Sequence, residues 1–121
     1  MSVKTRWATR DDIEAFSPMR NKPTLRALCI EADGKIVALG GLAFSLGRWV
    51  MFCDVTKEGR RYKVALVKAS KRLINEAMKM GIRYVYAAAD PNEANSVRWL
   101  ASLGFEVDAR TPTIYRWSAD G

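Results

Sequence analysis

The most sustained pattern in the chain runs from Arg48 to Met80. It opens with RWVMFCDVT, a β-branched and aromatic run, passes through KEGRRYK, and continues as VALVKASKRLINEAMKM. In the last part apolar residues recur at helical spacing: Val64, Val67, Ile74 and Met78 form one stripe, with Leu66, Leu73, Ala77 and Met80 beside it. Lys68, Lys71, Arg72, Glu76 and Lys79 take the other side, as on a surface helix laid on a sheet. Gly59 permits a sharp exit from the preceding run, and Gly81 stands where a left-handed residue would stop the helix. The pattern predicts a strand over Arg48–Val55 and a helix over Tyr62–Met80.

Upstream, Val3 to Ala8 alternates loosely and reads as a first strand. Thr9 suits the N-cap of a helix over Arg10–Phe16, with Asp11 and Asp12 in its first turn. Ser17-Pro18 and Lys22-Pro23 then predict a broken helical or loop segment up to Thr24. Leu25–Ala32 (LRALCIEA) alternates as a strand does, and Asp33-Gly34 predicts a tight type I′ turn into Lys35–Phe44. Gly40-Gly41 in that second run suggests a bulge or the close approach of another backbone. Ser45-Leu46-Gly47 turns the chain into Arg48–Val55, which completes an antiparallel meander.

Downstream, Ile82–Ala89 (IRYVYAAA) is apolar almost throughout, as a central strand covered on both faces would be. A strand, a helix and another strand make one parallel crossover, right-handed by the usual rule. Asp90-Pro91-Asn92 breaks the strand. Glu93–Leu103 reads as a second long helix with Val97, Leu100 and Ala101 inward, ended by Gly104. Phe105–Ala109 and Thr113–Ser118, around Thr111-Pro112, form a closing hairpin. The expected architecture is α+β, a mixed sheet in the order β-α-α-β-β-β-α-β-α-β-β, with one parallel strand pair at its centre. At 121 residues, without linker or repeat, the chain reads as a single domain, 1–121.

Composition narrows the chemistry. A hydrophobic content of 49% beside 27% charged residues argues for a globular chain. No apolar run approaches the ~20 residues of a membrane helix, and MSVKTRWATRDD lacks the apolar centre of a signal peptide. The two cysteines, Cys29 and Cys53, lie in strand-like runs without metal spacing and read as buried thiols in a reducing, cytoplasmic compartment. The chain contains no histidine, which removes the usual general base and the commonest metal ligand.

Charge is concentrated. Seven of the twenty Lys and Arg residues lie between Lys57 and Arg72, against one acid, Glu58. The first N–H groups of a helix lack internal partners and the helix dipole adds positive potential there. Arg60, Arg61 and Lys63 add full charges, so the turn into the helix is a candidate phosphate site; a solvated basic helix start accounts for the same residues. Nucleic-acid binding through Lys57–Arg72 ranks last among the readings, because that stretch has too few aromatics for a stacking platform.

The element order, together with NEANSVRWLASLGFEV at Asn92–Val107, resembles the GCN5-related N-acetyltransferase (GNAT) superfamily. Leu103-Gly104-Phe105, closing a short helix after Asn-rich residues, is similar to that family's second cofactor motif. The resemblance spans nearly the whole chain. It implies an acetyl-CoA-dependent transfer of an acetyl group to an amine of a small molecule or peptide, without a metal. Acetyl-CoA would sit where the sheet splays between the fourth and fifth strands, its pantetheine arm along the backbone of Cys53–Val55. Its pyrophosphate would rest on a turn of pattern Gln/Arg-x-x-Gly-x-Gly/Ala, which falls here on Arg60-Arg61-Tyr62-Lys63-Val64-Ala65. Arg60 and Ala65 fit that pattern, and Lys63 replaces its first glycine. Asn92 and Asn95 resemble cofactor-contacting asparagines, although Asn92 also suits a helix cap.

The same resemblance implies a tyrosine acid five residues before the motif's Phe, where this chain has Leu100. Trp99 offers only an indole N–H, and Tyr62 and Tyr115 are the available substitutes. The residues themselves nominate Asp54 as base. Val50, Phe52 and Asp54 share one strand face, so Asp54 ends an apolar row beside the expected splay, where burial would raise its pKa. A structural role, capping a turn or pairing an Arg, explains the same placement. Cys53 as an acyl carrier ranks below a buried thiol. The alternative function is a catalytically silent GNAT-fold binding or structural protein. Small glycine-poor versions of this fold occur in tailed bacteriophages, some of them virion-associated, which would place the chain in host cytoplasm or virion.

Overall fold

In the computed structural model, which describes residues 3–16, 25–88 and 96–120, Asp33 and Gly34 have φ of 53° and 81°. Both central positions of the turn are therefore left-handed, as a type I′ hairpin requires. It joins β2 (Leu25–Ala32) to β3 (Lys35–Ser45). The next hairpin repeats the geometry with Leu46 and Gly47 at φ 52° and 80° and leads into β4 (Arg48–Val55). β2, β3 and β4 form the expected antiparallel meander, and β1 (Val3–Trp7) adds to its edge antiparallel to β2. Gly41 sits where an added Cβ would lie 2.7 Å from the Arg26 carbonyl oxygen and 2.9 Å from the Phe52 ring, so the Gly40-Gly41 pair marks a close approach. The bulge lies elsewhere. Ile30 pairs with Ala38 and Glu31 with Ile36, which leaves Val37 as the extra residue in β3.

Helix α2 (Lys63–Lys79) crosses from β4 to β5 (Tyr84–Ala88), and the seven-stranded sheet runs β1-β2-β3-β4-β5-β7-β6, with β6 at Glu106–Asp108 and β7 at Thr111–Ser118. The β4–β5 pair is the parallel one. Its register holds only Trp49 opposite Val85 and Val50 opposite Tyr86. Beyond these pairs the ladder ends, although β4 continues to Val55 and β5 to Ala88, so the strands splay. The order is that of the expected α+β mixed sheet. The broken helical segment at Ser17–Thr24 lies outside the described residues.

Three details differ from the sequence pattern. First, α2 buries Ala69, Ser70, Leu73, Ile74 and Ala77, while Val64 and Met78 are 69% and 55% exposed. The sheet meets a stripe rotated from the most apolar one, because small residues permit closer approach. Second, among the described residues β5 has helical cover on one face only. Val85 and Ala87 enter the core with Trp117, whereas Tyr84 and Tyr86 carry the guanidiniums of Arg116 and Arg48 over their rings at 5.0 and 4.4 Å. The helix α1 (Arg10–Phe16) covers the other side of the sheet at Ala27, Cys29, Leu39 and Phe52 and does not reach β5. Third, the described part of the second long helix is α3 (Ser96–Ser102), and it turns Leu100 inward with Trp99 half-buried, while Val97 and Ala101 face out.

Both α2 and α3 stop in the same way. The N–H groups of Gly81 and Ile82 donate to the carbonyls of Met78 and Ala77, and those of Gly104 and Phe105 to Ala101 and Leu100. With Gly81 and Gly104 at φ 76° and 94°, each is a Schellman cap, sealed by Ile82 or Phe105 in the core. The start of α1 is a reciprocal cap. Asp12 N–H donates to Thr9 Oγ1 at 3.2 Å and Thr9 N–H to Asp12 Oδ2 at 2.8 Å. Arg6 reaches both Asp12, at 2.7 Å, and Glu31, tying α1 to β1 and β2.

The guanidinium of Arg6, then the N–H of Thr9, hold the Asp12 carboxyl well below the usual carboxylate range. Such a group stabilises the fold above its unfolded value of about 3.9 and loses that contribution as pH falls through its lower folded value. The urea midpoint of the wild type should therefore fall more steeply than that of Asp12→Asn from about pH 5 to about pH 2. Parallel curves would show that this carboxylate does not carry the acid sensitivity.

Candidate functional site

The extra residue of β3 organises the turn after β4. The Val37 carbonyl accepts from Thr56 N–H at 3.0 Å and from Thr56 Oγ1 at 3.1 Å, and Thr56 Oγ1 accepts from Gly59 N–H at 3.0 Å. A Cβ on Gly59 would lie 2.3 Å from the Val37 oxygen and 2.9 Å from Val55 Cγ1, so only glycine lets the turn close on the bulge. Thr56 was missed by the sequence reading, though a Thr three residues ahead of Gly was its signal as a hydroxyl-closed turn. The turn continues as a single 3-10 loop, Gly59–Arg61, in which the N–H groups of Arg60, Arg61 and Tyr62 donate to Thr56, Glu58 and Gly59 carbonyls.

The α-helical ladder of α2 begins with Leu66 N–H on the Tyr62 carbonyl at 3.0 Å. The N–H groups of Lys63, Val64 and Ala65 therefore precede the first intrahelical bond. No side chain caps this end and no acid lies in its first turn, while Arg60, Arg61 and Lys63 are exposed around it. Tyr62 turns its ring into the core. Of the six positions expected to hold a pyrophosphate, Lys63, Val64 and Ala65 thus offer backbone donors. The backbone N–H groups of Arg60, Arg61 and Tyr62 are engaged in the turn, which leaves the two arginine side chains as the added charges. Lys63, in place of a glycine, is the first helical residue, and its α conformation needs no glycine.

The splay supplies a second set of groups. Thr56 N–H points to β3, and backbone groups alternate along a strand, so those of Asp54 also turn to β3 while those of Cys53 and Val55 face the side of β5. There the ladder has already ended. The side chains alternate as well. Cys53 joins Met51, Leu66, Ala69, Ser70, Leu73 and Trp99 around a narrow cleft beneath α2, whose free space of about 10 Å³ amounts to one water. Asp54, half-buried, shares the opposite face with Phe52. The thiol of Cys53 is enclosed, and burial, then the charge of Asp54, pushes it up to about 12. It is protonated at neutral pH and is no acyl carrier by resting thiolate. Ser70 donates back to the Leu66 carbonyl at 2.8 Å.

The remaining expected residues divide. Leu100, at the tyrosine position of the resemblance, is fully buried, and Leu103-Gly104-Phe105 is the Schellman stop of α3. That motif therefore has a packing reason of its own. Trp99, set aside as an acid, instead lines the cleft. Tyr115 is half-buried on β7 opposite Ala87 and packs on the main core. Asn92 and Asn95 lie outside the described residues. Among the described residues no group of His, Cys, Asp and Glu could hold a metal ion, and no helix is long and apolar enough to cross a membrane.

No protein-family model matches the sequence, and no curated protein matches it. Solved structures do. The chain superposes with a TM-score of 0.76 on yncA of Salmonella typhimurium, solved with its cofactor acetyl-CoA, at 17% identity over 98% of this chain and 94% of that one. The ribosomal-protein-S18-alanine N-acetyltransferase of Escherichia coli follows with 0.73 at 14% identity, covering 97% and 94%. An acetyltransferase of the GNAT family from Staphylococcus aureus Mu50 gives 0.71 at 12%, covering 97% and 99%. The fold is therefore that of the GNAT acetyltransferases.

The clamp at Val37 makes a direct expectation. Gly59→Ala should destabilise the chain by about 1–3 kcal/mol, the cost of forcing an extra methyl into packed structure, and should loosen the start of α2. Hydrogen exchange at Lys63–Leu66 is the measurement. Unchanged stability together with unchanged exchange would show that the turn closes without a glycine.

Proposed function

We propose that the chain binds acetyl-CoA across the splay of β4 and β5 and transfers the acetyl group to an amine. The observation that carries this reading is the coincidence, at one end of the parallel pair, of two sets of backbone donors. One is the uncapped, cation-flanked start of α2, and the other is the backbone of Cys53 and Val55 turned into the gap. The first suits a diphosphate and the second an amide-bearing arm. The donors fit the molecule; the tight cleft at Trp99 leaves the acyl end little preformed room.

When bound, acetyl-CoA supplies a thioester whose acetyl group passes to the acceptor, a C–N bond forming as the C–S bond breaks. Lys63, Val64 and Ala65 hold the phosphates through their N–H groups, with Arg60 and Arg61 adding charge. The N–H of Val55 polarises the acyl oxygen, as a fixed backbone dipole does without reorganising. Asp54 takes the proton released by the amine, directly or through one water. No tyrosine stands at the Leu100 position, so the departing thiolate draws its proton from Tyr62, Tyr115 or solvent. The acceptor is a small-molecule or peptide amine.

A second reading is a catalytically silent GNAT-fold protein, of the small form carried by tailed bacteriophages. The buried Leu100 and the nearly filled cleft favour it.

Acetyl-CoA at about 100 times its Kd should raise stability by roughly 2.7 kcal/mol, read as a thermal shift, and the double variant Arg60→Ala, Arg61→Ala should lose at least about tenfold in affinity. No shift at millimolar ligand overturns the acetyl-CoA reading. With an acceptor found by screening polyamines, amino acids and peptide N-termini for thiol release, Asp54→Asn should lower turnover by about 10²–10⁴-fold at nearly unchanged acetyl-CoA affinity. Full turnover in that variant removes Asp54 as base, and binding without any acceptor supports the silent reading.

A further inference from the structure

The outer face of α2 lies opposite its buried stripe. On it stand Lys68, Lys71, Arg72 and Lys79, all exposed, with Asn75 between them. Among the described residues none of these four cations pairs with a carboxylate. Glu76, the acid of this helix, is half-buried on its flank. Arg72 has a different partner. Its guanidinium stands 5.4 Å over the ring of Trp7, which comes from β1 at the far edge of the sheet and is itself 40% exposed. The fold thus brings an aromatic ring to a basic ridge whose own stretch of sequence has none on that face, and it orients one of the charges.

We propose that this ridge, Lys68, Lys71, Arg72 and Lys79 with Trp7 beside it, binds the phosphate backbone of a nucleic acid. The site is separate from the acetyl-CoA groups at the start of α2 and holds whether or not that reading does. At a rise of 1.5 Å per residue the cations extend over about 16 Å, roughly the length of five nucleotides of one strand. Their spacing lets long side chains follow a backbone, and the unpaired charges release counterions on contact. An anionic membrane is the poorer occupant. The apolar side of α2 is already spent on the sheet, and the outer face offers Val64 and Met78 where an interfacial helix inserts leucines and large aromatics.

The test measures anisotropy of labelled duplex DNA, duplex RNA and single-stranded RNA oligonucleotides, with phosphatidylserine vesicles as the parallel arm. The wild type should bind at least one oligonucleotide with micromolar affinity at low salt and a log–log salt slope near −3.6 on duplex DNA, about 0.9 for each of the four cations, or near −2.8 on a single strand. The triple variant Lys68→Glu, Lys71→Glu, Arg72→Glu should lose at least about tenfold in affinity and flatten the duplex-DNA slope by about 2.7. Its acetyl-CoA thermal shift should stay that of the wild type, which separates this result from any failure at the cofactor site. Should the triple variant not fold, Lys68→Gln, Lys71→Gln should flatten the slope by about 1.8. Absence of oligonucleotide binding at about 100 µM protein, affinity and slope unchanged by these substitutions, or binding to vesicles alone would each overturn the proposal.

Discussion

The carbonyl oxygen of Val37 is the contact on which the rest of the site depends. It is available because one extra residue in β3 turns it out of the ladder to β2, and it accepts both the N–H and the hydroxyl of Thr56. That double contact fixes where β4 ends. It also fixes the 3-10 loop, through the bond from Gly59 to the Thr56 hydroxyl, and so the direction in which α2 departs. A helix N-terminus can serve an anion only if its orphan N–H groups face a defined place. Here a bulge in β3, the strand next to β4, sets that place.

Burial then decides which groups remain for chemistry. Main-core packing absorbs Leu100 and Phe105 wholly and Tyr62 and Tyr115 in part, positions that sequence motifs would nominate for catalysis or cofactor contact. What is left at the splay is mostly backbone: Cys53 and Val55 along β4, and Lys63 to Ala65 at the start of α2. Asp54 is the carboxylate beside them, and the Cys53 thiol is kept protonated by its enclosure. An acyl transfer run from such a site relies on fixed dipoles more than on a set of catalytic side chains, which accords with a chain that contains no histidine.

The two sides of the sheet are treated unequally. Among the described residues, helices α2 and α3 cover one face, while α1 covers the β2–β4 part of the other. On that other face the rings of Tyr84 and Tyr86 lie under the guanidiniums of Arg116 and Arg48. Arg72 over Trp7 is the same device on the opposite face. In a chain of net charge +7, guanidiniums laid on aromatic rings keep apolar surface covered while leaving the charge in water.

Local signals were legible in the sequence wherever one residue type has one physical use. Asp33-Gly34 specified its hairpin because two successive positive φ angles suit few other pairs, and Gly81 and Gly104 specified their helix stops for the same reason. Thr9 with Asp12 specified the cap of α1. The parallel pair followed from a helix lying between two β-rich runs. Nothing local could place the bulge at Val37, since the ladder slips only when β2 and β3 meet, or show that β4 and β5 pair at just two registers before parting. The inward face of α2 was misjudged for a related reason. Periodicity measures how apolar a stripe is, whereas the sheet selects the stripe that approaches most closely, and Ala69, Ser70 and Ala77 outweigh Val64 and Met78. The meeting of Trp7 with Arg72 joins residues far apart in the chain, so the basic helix that lacked an aromatic neighbour in sequence acquired one only when the sheet was assembled.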